Sequence, residues 1–315
     1  MHIPVLRKEI IELLQLKKGD KVIDATLGLG GHSEEILKVI GKSGHLYAFE
    51  QDGRNLERAK ERLREFESQV TYFHTNFVSL KTCLAAAGSS ERAVQPPSIR
   101  VDAILFDLGL SSPHVDDSSR GFSFREDGPL DMRFDSREDL TAADIVNRWP
   151  EPDLVEIFSK YGEERASKKV AAGIVARRKE KHFETTLDLA GFIRELKQKF
   201  PSKKDHATQV FQALRMAVND EVSVLEEVLP QAIEVLKPGG RLAVISYHSI
   251  EDRIVKNIFR DYSKDLDDPN EPLINKVIRE KQVEIITKKP IVPTEEEISE
   301  NPRARSAKLR IIGKI

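Results

Sequence analysis

The sequence predicts an α/β protein: a mostly parallel sheet with helices on both faces, closed by a C-terminal antiparallel hairpin and interrupted by an all-helical insertion. Three observations carry this. From Val22 to Phe77, short apolar runs alternate with amphipathic stretches in the order βαβαβ, joined by short connections. The run V-D-A-I-L-F-D, Val101 to Asp107, is so apolar that it must be covered on both faces. From about Asp116 to Ala213 no strand of convincing length appears, and helical spacing takes over.

His2 to Leu16 has helical spacing and is stopped by Lys17-Lys18-Gly19-Asp20 before the first strand. That strand runs into D-A-T-L-G-L-G-G-H-S, where Gly28, Gly30 and Gly31 make a tight turn and Ser33 to Val39 starts a helix. Gly44 to Glu50 reads as the second strand, Asn55 to Phe66 as a helix and Val70 to His74 as the third strand. Ala85 to Ser98 is a loop by composition, and Val101 to Asp107 is the fourth strand. After a glycine- and arginine-rich loop, helices are expected near Ala142 to Asn147, Pro152 to Lys160, Ala166 to Lys179 and Leu187 to Lys199. Asp220 to Leu236 is a further helix, and Lys237 to Gly240 is a turn before the fifth strand, R-L-A-V-I-S-Y-H. Ile250 to Tyr262 is helical, and Val283 to Lys288 with Ala307 to Ile315 form the closing pair. The domains are therefore expected at 1–115 and 214–315 for the sheet and 116–213 for the insertion.

Composition narrows the class. With 39% hydrophobic and 32% charged residues over 315 positions, the chain has the make-up of a globular protein of one large or two ordinary domains. The longest apolar runs are strand-sized and the N-terminus lacks a signal-peptide core, so the expected location is the cytoplasm, with no membrane partner. Cys83 is the only cysteine, which excludes an internal disulfide and a multi-cysteine zinc site; no metal is expected. The net charge of −2 gives no global sign of nucleic-acid binding, yet Tyr161 to Asp205 carries 12 Lys and Arg against 7 Asp and Glu. The sequence leaves a homodimer open.

Glu50 closes the second strand roughly 20 residues after the glycines, the place where nucleoside-binding α/β folds set a carboxylate on ribose hydroxyls. Two adenosine cofactors fit, a nicotinamide dinucleotide and S-adenosylmethionine. A dinucleotide loop wants a small third residue close to the helix, and G-L-G-G-H-S is an imperfect match. Asp24 would also sit poorly beside a pyrophosphate, whereas it can orient the loop around a cationic methionine. The C-terminal hairpin fits a methyltransferase better than an oxidoreductase.

Methyl transfer is an in-line displacement in which the enzyme mainly holds donor and acceptor together with water excluded. If the acceptor is an exocyclic amine, the site must accept hydrogen bonds from its N–H groups. Asp107, Ser111 and Ser112, with Pro113 stiffening the turn, form the candidate catalytic group on one short loop. His32, opening the helix beside the cofactor, reads as a positioning residue, and His248 either reaches the same edge or caps the next helix. Phe122, Phe124 and Tyr247 are candidates for stacking on a base or for core packing.

Taken together, these motifs resemble the RsmH (MraW) family, bacterial cytosine-N4 methyltransferases of small-subunit ribosomal RNA that use S-adenosylmethionine. The resemblance is carried by H-I-P-V-L at His2, D-A-T-L-G-L-G-G-H-S at Asp24, D-L-G-L-S-S-P at Asp107, R-G-F-S-F with G-P-L-D-M-R between Arg120 and Arg133, Y-G-E-E-R at Tyr161, F-Q-A-L-R at Phe211, S-Y-H-S-I-E-D-R at Ser246 and N-P-R-A-R-S at Asn301. It implies a Rossmann-like class I methyltransferase sheet. It also implies that Gly30, Gly31 and His32 contact the cofactor, Glu50 the ribose, Phe77 the adenine and Asp107 the methionine end or the acceptor, with His114 on the same ligand-facing loop. Glu50 stands where the family usually has aspartate, and His114 where glutamine is usual. The helical insertion and the Arg120 to Arg133 loop are then expected to grip RNA, either free or in a partly assembled small subunit. The rivals to this reading are an NAD-dependent oxidoreductase and a non-catalytic RNA-binding ribosome assembly factor.

Overall fold

The computed structural model describes residues 4–88, 99–201, 205–267 and 277–315. They fall into two compact units, one made of Met1–Gly109 with Val222–Ile315 and the other of Leu110–Glu221.

The first unit opens with α1 (Arg7–Leu14), whose period buries Ile10 and Leu14, and continues through β1 (Lys21–Asp24), α2 (Gly31–Ile40), β2 (His45–Phe49), α3 (Gly53–Arg62), β3 (Val70–Phe73), α4 (Leu80–Gly88) and β4 (Val101–Asp107). Asp52 starts α3 by accepting from the Arg54 backbone N–H. The helix ends at Arg62, and the rest of the expected stretch becomes a 3₁₀ turn, Arg64–Gln69. Ala85 to Gly88, read as loop, complete α4 because Leu80 and Leu84 bury one side of it in the core; residues 89–98 lie outside the described residues.

The second unit holds α5 (Ser112–Asp116), α6 (Ala142–Arg148), α7 (Glu151–Lys160), α8 (Ser167–Arg177), α9 (Thr186–Lys197) and α10 (Thr208–Val218) around its own core, with Leu154, Phe158, Ile174, Phe183 and Leu214 inside. The expected boundary at residue 213 cuts α10, whose buried Phe211, Ala213 and Leu214 belong to this core. The unit ends where Arg215 pairs with Glu221 (2.7 Å) and Asn219 bonds both the Phe134 N–H (2.8 Å) and the Met132 carbonyl (2.8 Å). The Arg120 to Arg133 loop is folded on itself so tightly that a Cβ on Gly128 would fall 1.9 Å from the Ser118 oxygen. Arg120 is buried and donates to the Arg133 and Phe134 carbonyls (2.8 and 3.1 Å), while Arg133 pairs with Asp131 (2.6 Å). These two arginines supply donors to a loop whose own carbonyls lack ladder partners.

The chain then returns to the first unit with α11 (Glu221–Val235), β5 (Leu236–Ser246), α12 (Ser249–Tyr262), the short strands β6 (Leu266–Asp267) and β7 (Val277–Arg279), β8 (Val283–Ile285), α13 (Glu295–Glu300) and β9 (Lys308–Lys314). Lys237 to Gly240, read as a turn, is a bulge inside β5: Val101 pairs with Leu236, and Ala103 with Arg241. The main sheet has the order β3-β2-β1-β4-β5-β9-β8, parallel from β3 to β5. β9 runs antiparallel beside β5, and β8 pairs antiparallel with β9, which forms the closing hairpin that the sequence leads one to expect.

Alternation along β4 fills both faces. Ile104 and Phe106 join a cluster with Leu225, Val228 and Val255 of α11 and α12, whereas Ala103 and Leu105 join Ile10, Ile36 and Leu56 of α1, α2 and α3. Truncating this central strand leaves a cavity between layers that cannot collapse. Leu105→Ala is expected to lower stability by about 2–5 kcal/mol, measured by chemical denaturation of the full chain.

Candidate active site

Parallel register places Asp24 opposite both Ala48 and Leu105, so β1, β2 and β4 end at one edge and deliver Asp24, Glu50 and Asp107 there. The glycine loop is tied down across that edge. The Leu27 N–H donates to the Phe49 carbonyl (2.9 Å) and the Gly30 N–H to the Leu27 carbonyl (2.8 Å). Gly30 has a φ of +76° where the chain turns into α2, a conformation that favours glycine. Asp24, 1% exposed, accepts from Ser33 Oγ (2.6 Å) and the Thr26 N–H (3.1 Å), and burial pushes its carboxyl up from the usual range. It locks the loop from beneath.

Glu50 Oε2 accepts from the Gly28 N–H (2.8 Å) and Oε1 from the Asp52 N–H (2.8 Å). The enclosing protein pushes its carboxyl up from 4.5 to about 8, against those backbone donors. Asp107 is held by its own backbone N–H, which donates to Thr26 Oγ1 (2.6 Å), and by the Tyr247 hydroxyl, which donates to Oδ1 (2.8 Å). Oδ2 faces His32 Nε2 at 3.6 Å, beyond hydrogen-bonding distance. That nitrogen is buried without a hydrogen-bond partner among the described residues. Phe77 follows β3 in a 3₁₀ turn started by Asn76, half-buried, with its ring edge-on to Phe106 (5.4 Å).

Gly30, Gly31, His32, Glu50, Phe77 and Asp107 thus all lie in the sheet unit, along the ends of β1 to β4. Ser111, Ser112, Pro113 and His114 lie in the helical unit on α5 and its cap. Ser111 is the cap residue: its Oγ lies 3.0 Å from His114 Nδ1. The His114 ring, expected on a ligand-facing loop, is 4% exposed and packs against Phe122 and Phe134 at 5.0 and 5.1 Å. The aromatic neighbours draw the ring inward. His248 is also a cap, since the Glu251 N–H donates to its Nδ1 at the start of α12. Sequence reasoning missed Thr26 and Tyr247 as partners of Asp107. Thr26 carried a signal, a hydroxyl two positions after the strand's aspartate, while Tyr247 is brought to Asp107 only by the pairing of β4 with β5.

The whole chain, residues 1–315, matches the model of the MraW methylase family. This protein belongs to that family. It is 45% identical to the ribosomal RNA small subunit methyltransferase H of Streptococcus mutans, covering 100% of this chain and 98% of the relative. Identity to the enzyme of the same name from Carboxydothermus hydrogenoformans is 46%, again over 100% of this chain and 98% of the relative.

In this MraW methylase, no lysine or arginine among the described residues pairs with Asp24, Glu50 or Asp107, so the sheet edge offers carboxylates and neutral donors to a ligand. Such an edge suits a cation and disfavours a pyrophosphate. Glu50 gives a pH signature. Its folded pKa lies above the unfolded value, so its contribution to stability is fully present below pH 4.5 and is lost as pH rises through about 8. Glu50→Gln removes that slope. Denaturation midpoints are expected to fall more steeply between pH 5 and 8 in the wild type than in the variant; equal slopes would contradict the assignment.

Proposed function

We propose that this MraW methylase transfers a methyl group from S-adenosylmethionine to the exocyclic N4 of a cytosine in the decoding region of small-subunit ribosomal RNA. The observation that carries this reading is the edge bearing Glu50 and Asp107, with Asp107 Oδ2 3.6 Å from a His32 Nε2 that is buried without a hydrogen-bond partner among the described residues. When bound, the cofactor supplies an electrophilic methyl group on a sulfonium. The residues present fit it. Glu50 takes the ribose hydroxyls and Phe77 the adenine face, while Gly30 and Gly31 let the methionine portion approach bare backbone beside His32. Gly31 has no room for a side chain in any case, because a Cβ there would fall 2.7 Å from Pro4 Cγ.

Asp107 is the catalytic residue of this proposal. A cytosine amine shares its lone pair with the ring, and its nitrogen becomes nucleophilic only as that conjugation is lost. A carboxylate oxygen accepting from the amine N–H favours the change and takes up the positive charge that develops. The two units divide the work. An amine inside a helix cannot present its lone pair, so the base must be unstacked, and the helical unit is assigned to gripping the RNA around it. Arg177, Arg178, Arg194 and Lys197 are taken up inside that unit, by Asp188, the Val146 and Trp149 carbonyls, Asp205 and Glu164 respectively. Arg165, Lys168, Lys169, Lys179, Lys181 and Lys199 remain exposed and supply phosphate contacts. Small-subunit RNA in a partly assembled particle is the expected substrate, in the cytoplasm. No helix among the described residues is long and apolar enough to cross a membrane.

Calorimetry is expected to show binding of S-adenosylmethionine and none of NAD, and tight NAD binding alone would remove this reading. Asp107→Ala should lower the rate of methyl transfer to small-subunit RNA by on the order of a hundredfold or more. Mass mapping of ribosomal RNA from cells lacking the protein should show one cytosine lighter by a methyl group.

A further inference from the structure

The segment Ser246 to Asp252 leaves β5 and enters α12, and its polar side chains point in different directions with different partners. Asp252 turns back to the sheet and pairs with Arg310 of β9 (2.7 Å). Glu251 is buried, and its Oε2 accepts from the backbone N–H groups of Tyr247 (2.8 Å) and His248 (3.2 Å). The backbone of Tyr247 is therefore anchored from the helix behind it, and its hydroxyl reaches forward to Asp107 Oδ1 (2.8 Å).

We propose that Tyr247 is a positioning residue for methyl transfer: by pinning Oδ1 it fixes the rotation of the Asp107 carboxylate and presents Oδ2 to the substrate amine. The inference rests on the methyltransferase reading of the Asp107 site. Without a partner, a carboxylate at a strand end rotates about its Cβ–Cγ bond and shares its charge between two equivalent oxygens. With Oδ1 taken and the backbone N–H held by Thr26, one oxygen is singled out, and it is the one that faces His32. The Tyr247 ring is itself wedged. The chain bends around it at Gly109, which has a φ of +106° and where a Cβ would press on the ring, 3.1 Å from Tyr247 Cδ2. The Leu108 N–H donates to the Ile245 carbonyl (3.0 Å) and holds this bend against β5. Burial and the neighbouring Asp107 raise the pKa of the phenol well above its ordinary value, so it remains a donor throughout the working pH range. The glycine of D-L-G, the tyrosine of S-Y-H and the glutamate of I-E-D thus act on a single carboxylate.

The test is Tyr247→Phe, which keeps the ring and removes the hydroxyl. The variant should bind S-adenosylhomocysteine within about twofold of wild type by calorimetry and keep its KM for the methyl donor, while kcat on small-subunit RNA falls by about tenfold or more. In the cofactor-free protein, a denaturation cycle with Asp107→Asn should show coupling, the second substitution shifting the midpoint by less than it does alone. Unchanged kcat overturns the inference. Parallel losses in kcat and in cofactor affinity also overturn it, because they mark a structural role. Wild-type protein that methylates no small-subunit RNA would remove the methyltransferase reading and this inference together, whereas active wild type with an unimpaired Tyr247→Phe removes this inference alone.

Discussion

Three carboxyl groups meet at one edge of a parallel sheet, and the rest of the sheet unit is arranged to hold them there against desolvation. Register makes the gathering unavoidable. β2, β1 and β4 lie side by side and run the same way, so residues at or just beyond their ends emerge together. What varies is how each charge is met. Asp24 receives a serine hydroxyl and a backbone N–H, Glu50 two backbone N–H groups, and Asp107 a phenol. These are neutral donors with fixed directions. They hold geometry without bringing a positive charge to the edge, where burial keeps the Glu50 carboxyl protonated up to about pH 8.

The apolar layers explain why that geometry is rigid. β4 is packed on one side by α11 and α12 and on the other by α2 and α3, so neither end of Asp107's strand is free to shift. Asp24 does the same for the loop, joining the strand end to the first turn of α2 through Ser33. A buried carboxylate bonded in this way costs stability at neutral pH, and it is tolerated where a loop must be held for binding. The helical unit follows another rule. Its charged residues are abundant, yet several of the arginines turn inward to satisfy carbonyls of irregular backbone. Its positive face is therefore narrower than its composition indicates.

Much of the fold was legible because its signals are local. Apolar runs such as Val101 to Asp107 can only be central strands, and the glycines at Gly28 and Gly30 mark a turn that ordinary residues resist. Of the candidate site, the carboxylates at the strand ends were legible from their spacing. His114, Arg120 and Arg133 were not, since a polar residue in a loop reads as exposed until the neighbours that bury it are known. In His114 those neighbours are Phe122 and Phe134, beyond the reach of local pattern. Residues 237–240 misled for a related reason: a proline and two glycines spell a turn, but pairing with Val101 and Ala103 absorbs them as a bulge.

By itself the sequence determined the parallel sheet, the glycine loop, the carboxylates at the strand ends, the closing hairpin and the presence of a helical insertion, because periodicity, strand apolarity and glycine content act within a few residues. Only the tertiary structure decided that Tyr247 holds Asp107, that His32 faces the same carboxylate without a bond, that α10 belongs to the insertion and that Arg120 points inward. Each of those depends on elements far apart in the chain being packed together. Which neighbour a side chain finds at such a contact is set by sheet order and burial, and neither is written in the residues flanking it.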